Sequence, residues 1–133
     1  MVEEGITVLL LGFEHSSILK IEEIFEKQVY EADLLFYYSE SKIDTETLGW
    51  ANAVAQNSDF IIINLDNITP LELAIAEENL FDEDEDSKKV IEYTDIGSTN
   101  PLVLYKLNMG DVVVKSMDGL NDFIEYALQD GEE

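Results

Sequence analysis

Apolar and polar positions change period several times along this chain, and the changes divide it into elements. Residues 6–12 form an unbroken apolar run ending in Gly12, the pattern of a strand buried on both faces. Helical spacing follows His15-Ser16-Ser17, where Ile18, Ile21, Ile24, Phe25 and Val29 recur at intervals of three or four. Residues 34–38 predict a second strand. Asp44-Thr45-Glu46-Thr47 supplies a helix start, and Leu48, Ala51, Val54 and Ala55 supply the buried stripe behind it. A third apolar run covers residues 60–65. Thr69-Pro70 then reads as the cap and first position of a helix reaching to about Leu80. Strand and helix alternate with short connections, which predicts a parallel sheet covered on both faces.

An acidic run interrupts this order. Asp82, Glu83, Asp84, Glu85 and Asp86 repel one another, so 82–87 is expected to be a solvated loop. A calcium loop needs alternating ligands, a central glycine and a closing glutamate, and the run lacks them. Residues 90–94 and 111–115 predict a fourth and a fifth strand. Asp118 opens a last helix with the face Leu120, Phe123, Ile124, Ala127 and Leu128. Residues 100–107 support two readings: their β-branched content suggests a strand, and Asn100-Pro101 suggests a helix start. The size fits one domain over residues 1–133, with residues 130–133 frayed.

Charge narrows the possible partners. Thirty Asp and Glu stand against seven Lys and no Arg, a formal net charge of −23. Nucleic acid and anionic membrane surfaces both need a basic face, so neither is expected as a direct partner. Without arginine the bidentate fork that recognises phosphate is missing, and a nucleotide-like ligand would be an uncharged nucleoside or base. The acidity reads either as a solubilising coat, of halophilic or phage-type composition, or as a surface that imitates DNA and occupies a basic protein. The second reading requires the acids to be ordered along one face. No apolar run is long enough to span a membrane, and neither a signal peptide nor cysteine is seen, so a cytoplasmic protein is expected (host cytoplasm if viral).

Candidate chemistry gathers at two turns. The first, Gly12-Phe13-Glu14-His15-Ser16-Ser17, has one glycine rather than three and an acid where a phosphate would approach. It suits a small-molecule pocket wall, with Phe13 against a ring and Ser16 or Ser17 donating a hydrogen bond, or an ordinary helix cap. His15 is the only histidine, Gly-x-Ser-x-Gly is absent, and no metal site is expected. Trp50, on the second helix, either packs in the core or lines a ligand pocket. At the second turn Asp66 and Glu72 bracket the passage from strand to helix, where open α/β sheets bind small molecules. A first-turn Glu72 either meets the helix dipole or does chemistry.

Asp66, five residues, then Glu72-Leu73 resembles the nucleoside 2-deoxyribosyltransferase family. Asn57-Ser58-Asp59 ahead of the third strand, and the strand-to-helix segment 111–120, look like that family too. The chain departs from its pattern at Ile68-Thr69-Pro70, at Ala74, and near Trp50-Ala51, where the family carries a smaller turn, a glycine and a carboxylate. The resemblance implies a flavodoxin-like or Rossmann-like three-layer α/β sandwich with a mostly parallel five-stranded sheet, and a helix over residues 100–107. It also implies that Glu72 attacks the anomeric carbon to form a covalent glycosyl intermediate, while Asp66 binds or protonates the departing base. Phe13 and Ser16 would be secondary pocket residues. Asn100 or Tyr105 would complete a neighbour's pocket in a homo-oligomer, and no cofactor is implied. The other reading of the whole chain is a non-enzymatic acidic protein that blocks a nucleic-acid-binding partner.

Overall fold

Four of the apolar runs become parallel strands: β1 (Ile6–Leu11), β2 (Leu34–Ser39), β3 (Phe60–Asn64) and β4 (Lys89–Tyr93), ordered β2-β1-β3-β4. The computed structural model describes residues 6–28, 34–39, 43–55, 58–79, 89–110 and 113–130. β1 lies inside the sheet, with Leu9 opposite Tyr37 on one side and Ile61 on the other. β4 continues the sheet beyond β3, with Ile62 opposite Ile91.

The continuous apolar character of β1 and β3 follows from burial on both faces. Val8, Leu10, Phe60 and Ile62 face one layer, formed by α1 (His15–Gln28) and α5 (Met117–Asp130). Leu9, Leu11, Ile61 and Ile63 face the other, formed by α2 (Thr45–Ala55), α3 (Pro70–Asn79) and α4 (Pro101–Asn108). Adjacent residues alternate between the two cores because successive strand side chains point to opposite faces. Each fully buried Leu or Ile contributes about 1.5–3 kcal/mol over an exposed one. The α1 stripe closes on the first core through Ile18, Ile21 and Phe25, and Phe25 meets Phe60 edge-on at 5.1 Å. Asp44 caps α2 by accepting bonds from the Thr47 N–H and hydroxyl, both at 2.8 Å. These bonds hold its carboxyl below the usual range, the backbone one most strongly.

The architecture is α/β with a parallel four-stranded sheet and five helices among the described residues, as in Rossmann-like and flavodoxin-like folds. The expected fifth strand, 111–115, is not a member of the sheet among the described residues, and 111–112 lie outside them. Val114 makes one parallel bridge to Tyr93, through Thr94 N–H to Val114 O at 2.9 Å and Val114 N–H to Glu92 O at 2.8 Å. Two features limit the pairing. Past Tyr93 the chain turns into the short helical turn Gly97–Thr99, and Ser116 already caps α5 by accepting from the Gly119 N–H at 3.0 Å.

Residues 101–108 are helical, which decides between the two sequence readings. Asn100 is the N-cap, its side chain accepting from the Leu102 N–H at 2.9 Å, and Pro101 takes the position where a missing N–H costs nothing. The acidic stretch 82–87, the end of the third helix at Leu80, and residues 131–133 of the expected tail lie outside the described residues, while Asp130 closes α5. No described helix is long and apolar enough to cross a membrane.

Candidate functional site at the reversal of strand order

Strand order reverses between β1 and β3, and the crevice beyond their carboxyl ends is where sheets of this kind take ligands. Here the loops that border it are bonded to one another. Gly12 leaves β1 with φ 81°, and a Cβ added there would meet Ile43 Cδ1 at 3.1 Å and Asn67 Cβ at 3.3 Å. Its carbonyl accepts from Asn64 Nδ2 at 3.0 Å and from Asn67 Nδ2 at 2.7 Å. The Gly12 N–H donates to Ser39 O at 3.1 Å, and the Ile43 N–H donates to Asn67 O at 2.9 Å. The exits of β1, β2 and β3 are thereby tied around one glycine.

Asp66 lies in the helical turn Leu65–Asn67, directly after β3. Its Oδ1 accepts from Thr94 Oγ1 at 2.7 Å and from Asn100 Nδ2 at 2.8 Å, and its Oδ2 accepts from the Asp95 N–H at 2.8 Å. Both partners of Oδ1 are themselves committed. Thr94 Oγ1 accepts from the Ile96 and Gly97 N–H groups, and Asn100 Nδ2 also donates to Leu65 O at 3.1 Å. Since Asn100 caps α4, this carboxylate fixes where α4 begins. Tyr93 joins the cluster by donating its hydroxyl to Asp95 Oδ1 at 2.6 Å. Burial, chiefly, pushes the Tyr93 hydroxyl well above the ordinary tyrosine range, with help from the Asp95 bond and the negative charges of Asp95 and Asp66.

Glu72 is occupied differently. The Thr69 N–H donates to Glu72 Oε1 at 3.4 Å, and the Glu72 N–H donates to Thr69 Oγ1 at 3.2 Å. This reciprocal pair is a capping box, which satisfies two of the orphan donors at the start of α3.

Of the other candidates, Asn100 meets Asp66 and the rest do not. Phe13 is fully buried, its ring centroid 5.5 Å from that of Tyr93 in the α1/α5 core. Ser16 is exposed in the first turn of α1. Trp50, half exposed on α2, borders an open hollow of about 430 Å³ with Tyr38, Ser39, Glu46 and Thr47. The Ser39 hydroxyl there is buried without a hydrogen-bond partner. A second hollow, of about 360 Å³, lies between α3 and α4. Pro70, Leu73, Ala74 and Glu77 line it from α3, and Pro101, Leu102 and Tyr105 from α4. Neither hollow is lined by Asp66 or Glu72. No cluster of three or more His, Cys, Asp or Glu able to hold a metal occurs among the described residues.

Several organising residues are not among the sequence candidates: Asn64, Asn67, Thr94 and Lys106. Short polar side chains at or just past the end of a strand favour side-chain-to-backbone turns, and that signal marks Asn64, Asn67 and Thr94. Lys106 is buried on α4 and paired with Glu77 and, at 3.1 Å, with Glu92. Glu92, an acid between the buried Ile91 and Tyr93, is the sequence hint that a buried cation exists.

The chain matches no family model, no curated protein and no solved structure.

Proposed function

We propose that this protein is a non-catalytic, acidic interaction domain that captures a basic protein and competes with that partner's nucleic acid. One observation carries the reading. The crevice that would receive a small ligand is spanned by the chain's own hydrogen bonds, with the Gly12 carbonyl taken by Asn64 and Asn67 and the Asp66 carboxylate by Thr94, Asp95 and Asn100. Glu72 serves its own helix. The carboxylates that the glycosyl-transfer expectation requires therefore have structural duties.

Charge supplies the specificity. Exposed acids are not ordered along one face but occupy both helical layers: Glu23 and Glu26 on α1, Asp122 and Glu125 on α5, Glu46 on α2 and Glu78 on α3. Lys20 and Lys27 are exposed among them on α1, so the reading rests on the field of the whole domain and not on a DNA-like stripe. Lys106 is buried between two glutamates and offers no compensating charge at the surface. Such a field speeds encounter with a cationic protein and repels nucleic acid itself.

Titration against a panel of small DNA-binding domains tests the reading. Expected is a complex that weakens at least tenfold from about 50 to about 200 mM salt and is displaced by the domain's own DNA. Absence of binding at low salt overturns it. So does release of free base from a deoxynucleoside panel that disappears in Glu72→Ala, which would restore the glycosyl-transfer reading.

A further inference from the structure

We propose that the groove between α3 and α4 seats the apolar side of a cationic amphipathic helix, so that this face is where the captured partner docks; the proposal rests on the interaction-domain reading. Positions 70, 73, 74 and 77 fall on one side of α3 at helical spacing and look across the hollow at Pro101, Leu102 and Tyr105 of α4. Leu73 and Leu102 are nearly buried and make the floor. Ala74 is exposed and small, which leaves the opening, and Tyr105 stands at 57% exposure as a wall. Leu71 and Leu104, at 72% and 48% exposure, add apolar surface on the same two helices. Concave, mostly apolar surfaces between helices accept helix side chains spaced at i, i+3 and i+4.

Charge complementarity selects the occupant. The carboxylate in the lining, Glu77, already pairs with Lys106, so the interior takes apolar side chains. α3 carries Glu72, Glu77 and Glu78 and no basic residue, and the cation of α4 is the buried Lys106. Positive charge on the occupant therefore belongs at its flanks, outside the apolar stripe.

Two 14-residue peptides of identical lysine and leucine content provide the probe, one with leucines at helical spacing and one with the order scrambled. Backbone amide shifts of the labelled protein locate binding, and calorimetry measures it. The patterned peptide is expected to bind at least tenfold tighter than the scrambled one and to shift the Leu73, Ala74 and Tyr105 amides. Ala74→Lys should weaken it about tenfold, since a charge then sits in the opening, equivalent to about 1.4 kcal/mol. Glu125→Gln, an equal charge change on α5, should alter it less than twofold. Melting checks that Ala74→Lys folds, and Tyr105→Ser at an exposed site is the second variant. Equal binding of both peptides, or shifts spread over α1 and α5, overturns the groove and leaves the acidic-domain reading intact. No binding of either peptide at low salt overturns both.

Discussion

Replacing Asp66 by alanine separates a structural clamp from a catalytic acid, because the two roles predict stability changes of opposite sign. The carboxylate accepts hydrogen bonds at 2.7, 2.8 and 2.8 Å from Thr94, Asp95 and Asn100. A hydrogen bond to a charged group contributes about 1.5–3 kcal/mol net. The Asp95 N–H is exposed, and water replaces its lost acceptor. Thr94 and Asn100 are buried, at 0% and 9% exposure, and have no such recourse. Two protected bonds lost, less what local relaxation returns, gives a cost of about 2–4 kcal/mol. For a chain of this length each kcal/mol moves the melting point about 3–5 °C, so Tm should fall about 6–20 °C. Urea unfolding at neutral pH measures the free energy, with an unchanged m-value as the check that two-state unfolding persists. Hydrogen exchange adds a local readout: the Leu102 amide, bonded to Asn100 Oδ1, should lose protection along with the start of α4. Asp66→Asn keeps one acceptor for Thr94 and Asn100 and turns a donor towards the exposed Asp95 N–H, so it should cost less than alanine. A neutral or stabilised Asp66→Ala refutes the clamp, since removing a strained catalytic acid commonly stabilises a fold.

Glu72→Ala should cost about 0.5–1 kcal/mol, the usual value of a helix cap, and Glu72→Gln should be near neutral because the amide oxygen still reaches the Thr69 N–H; a loss above about 2 kcal/mol in urea unfolding would mean that Glu72 does something other than cap. Lys106→Met takes the ammonium partner from the buried Glu92 carboxylate, and about 3 kcal/mol should be lost, much of it recovered in the Lys106→Met/Glu92→Gln double variant. A single variant within about 1 kcal/mol of the parent would show that the pair is not interior. Tyr93 sets an alkaline limit. Its folded-state ionisation is raised, so its contribution is constant below the unfolded tyrosine value of about 10 and is lost as pH rises from there towards the higher folded value. Denaturation at stepped alkaline pH should show this decline in the parent and a shallower one in Tyr93→Phe; identical slopes would refute it.

Local signals in the amino-acid order determined much of this fold. The unbroken runs of β1 and β3 announce burial on both faces, the Thr69-Pro70-Leu71-Glu72 start of α3 carries its own capping box, and Asn100-Pro101 carries the cap of α4. The two caps need partners no more than three residues apart, and the runs show their burial in their own composition, so each is written into the order of side chains. Tertiary structure decided the rest. Asp66 became a clamp because Thr94 and Asn100, 28 and 34 residues away, arrive beside it, and the Gly12 carbonyl is capped by Asn67 from 55 residues away. Residues 113–115 gave one bridge instead of a strand because the Asp66 cluster turns the chain just past β4 while Ser116 starts α5. Lys106 is buried because α3 and β4 bring Glu77 and Glu92 to it. A carboxylate at the end of a strand has the same local pattern whether it attacks a substrate or holds a loop. Only the donors that the fold delivers to its oxygens distinguish the two.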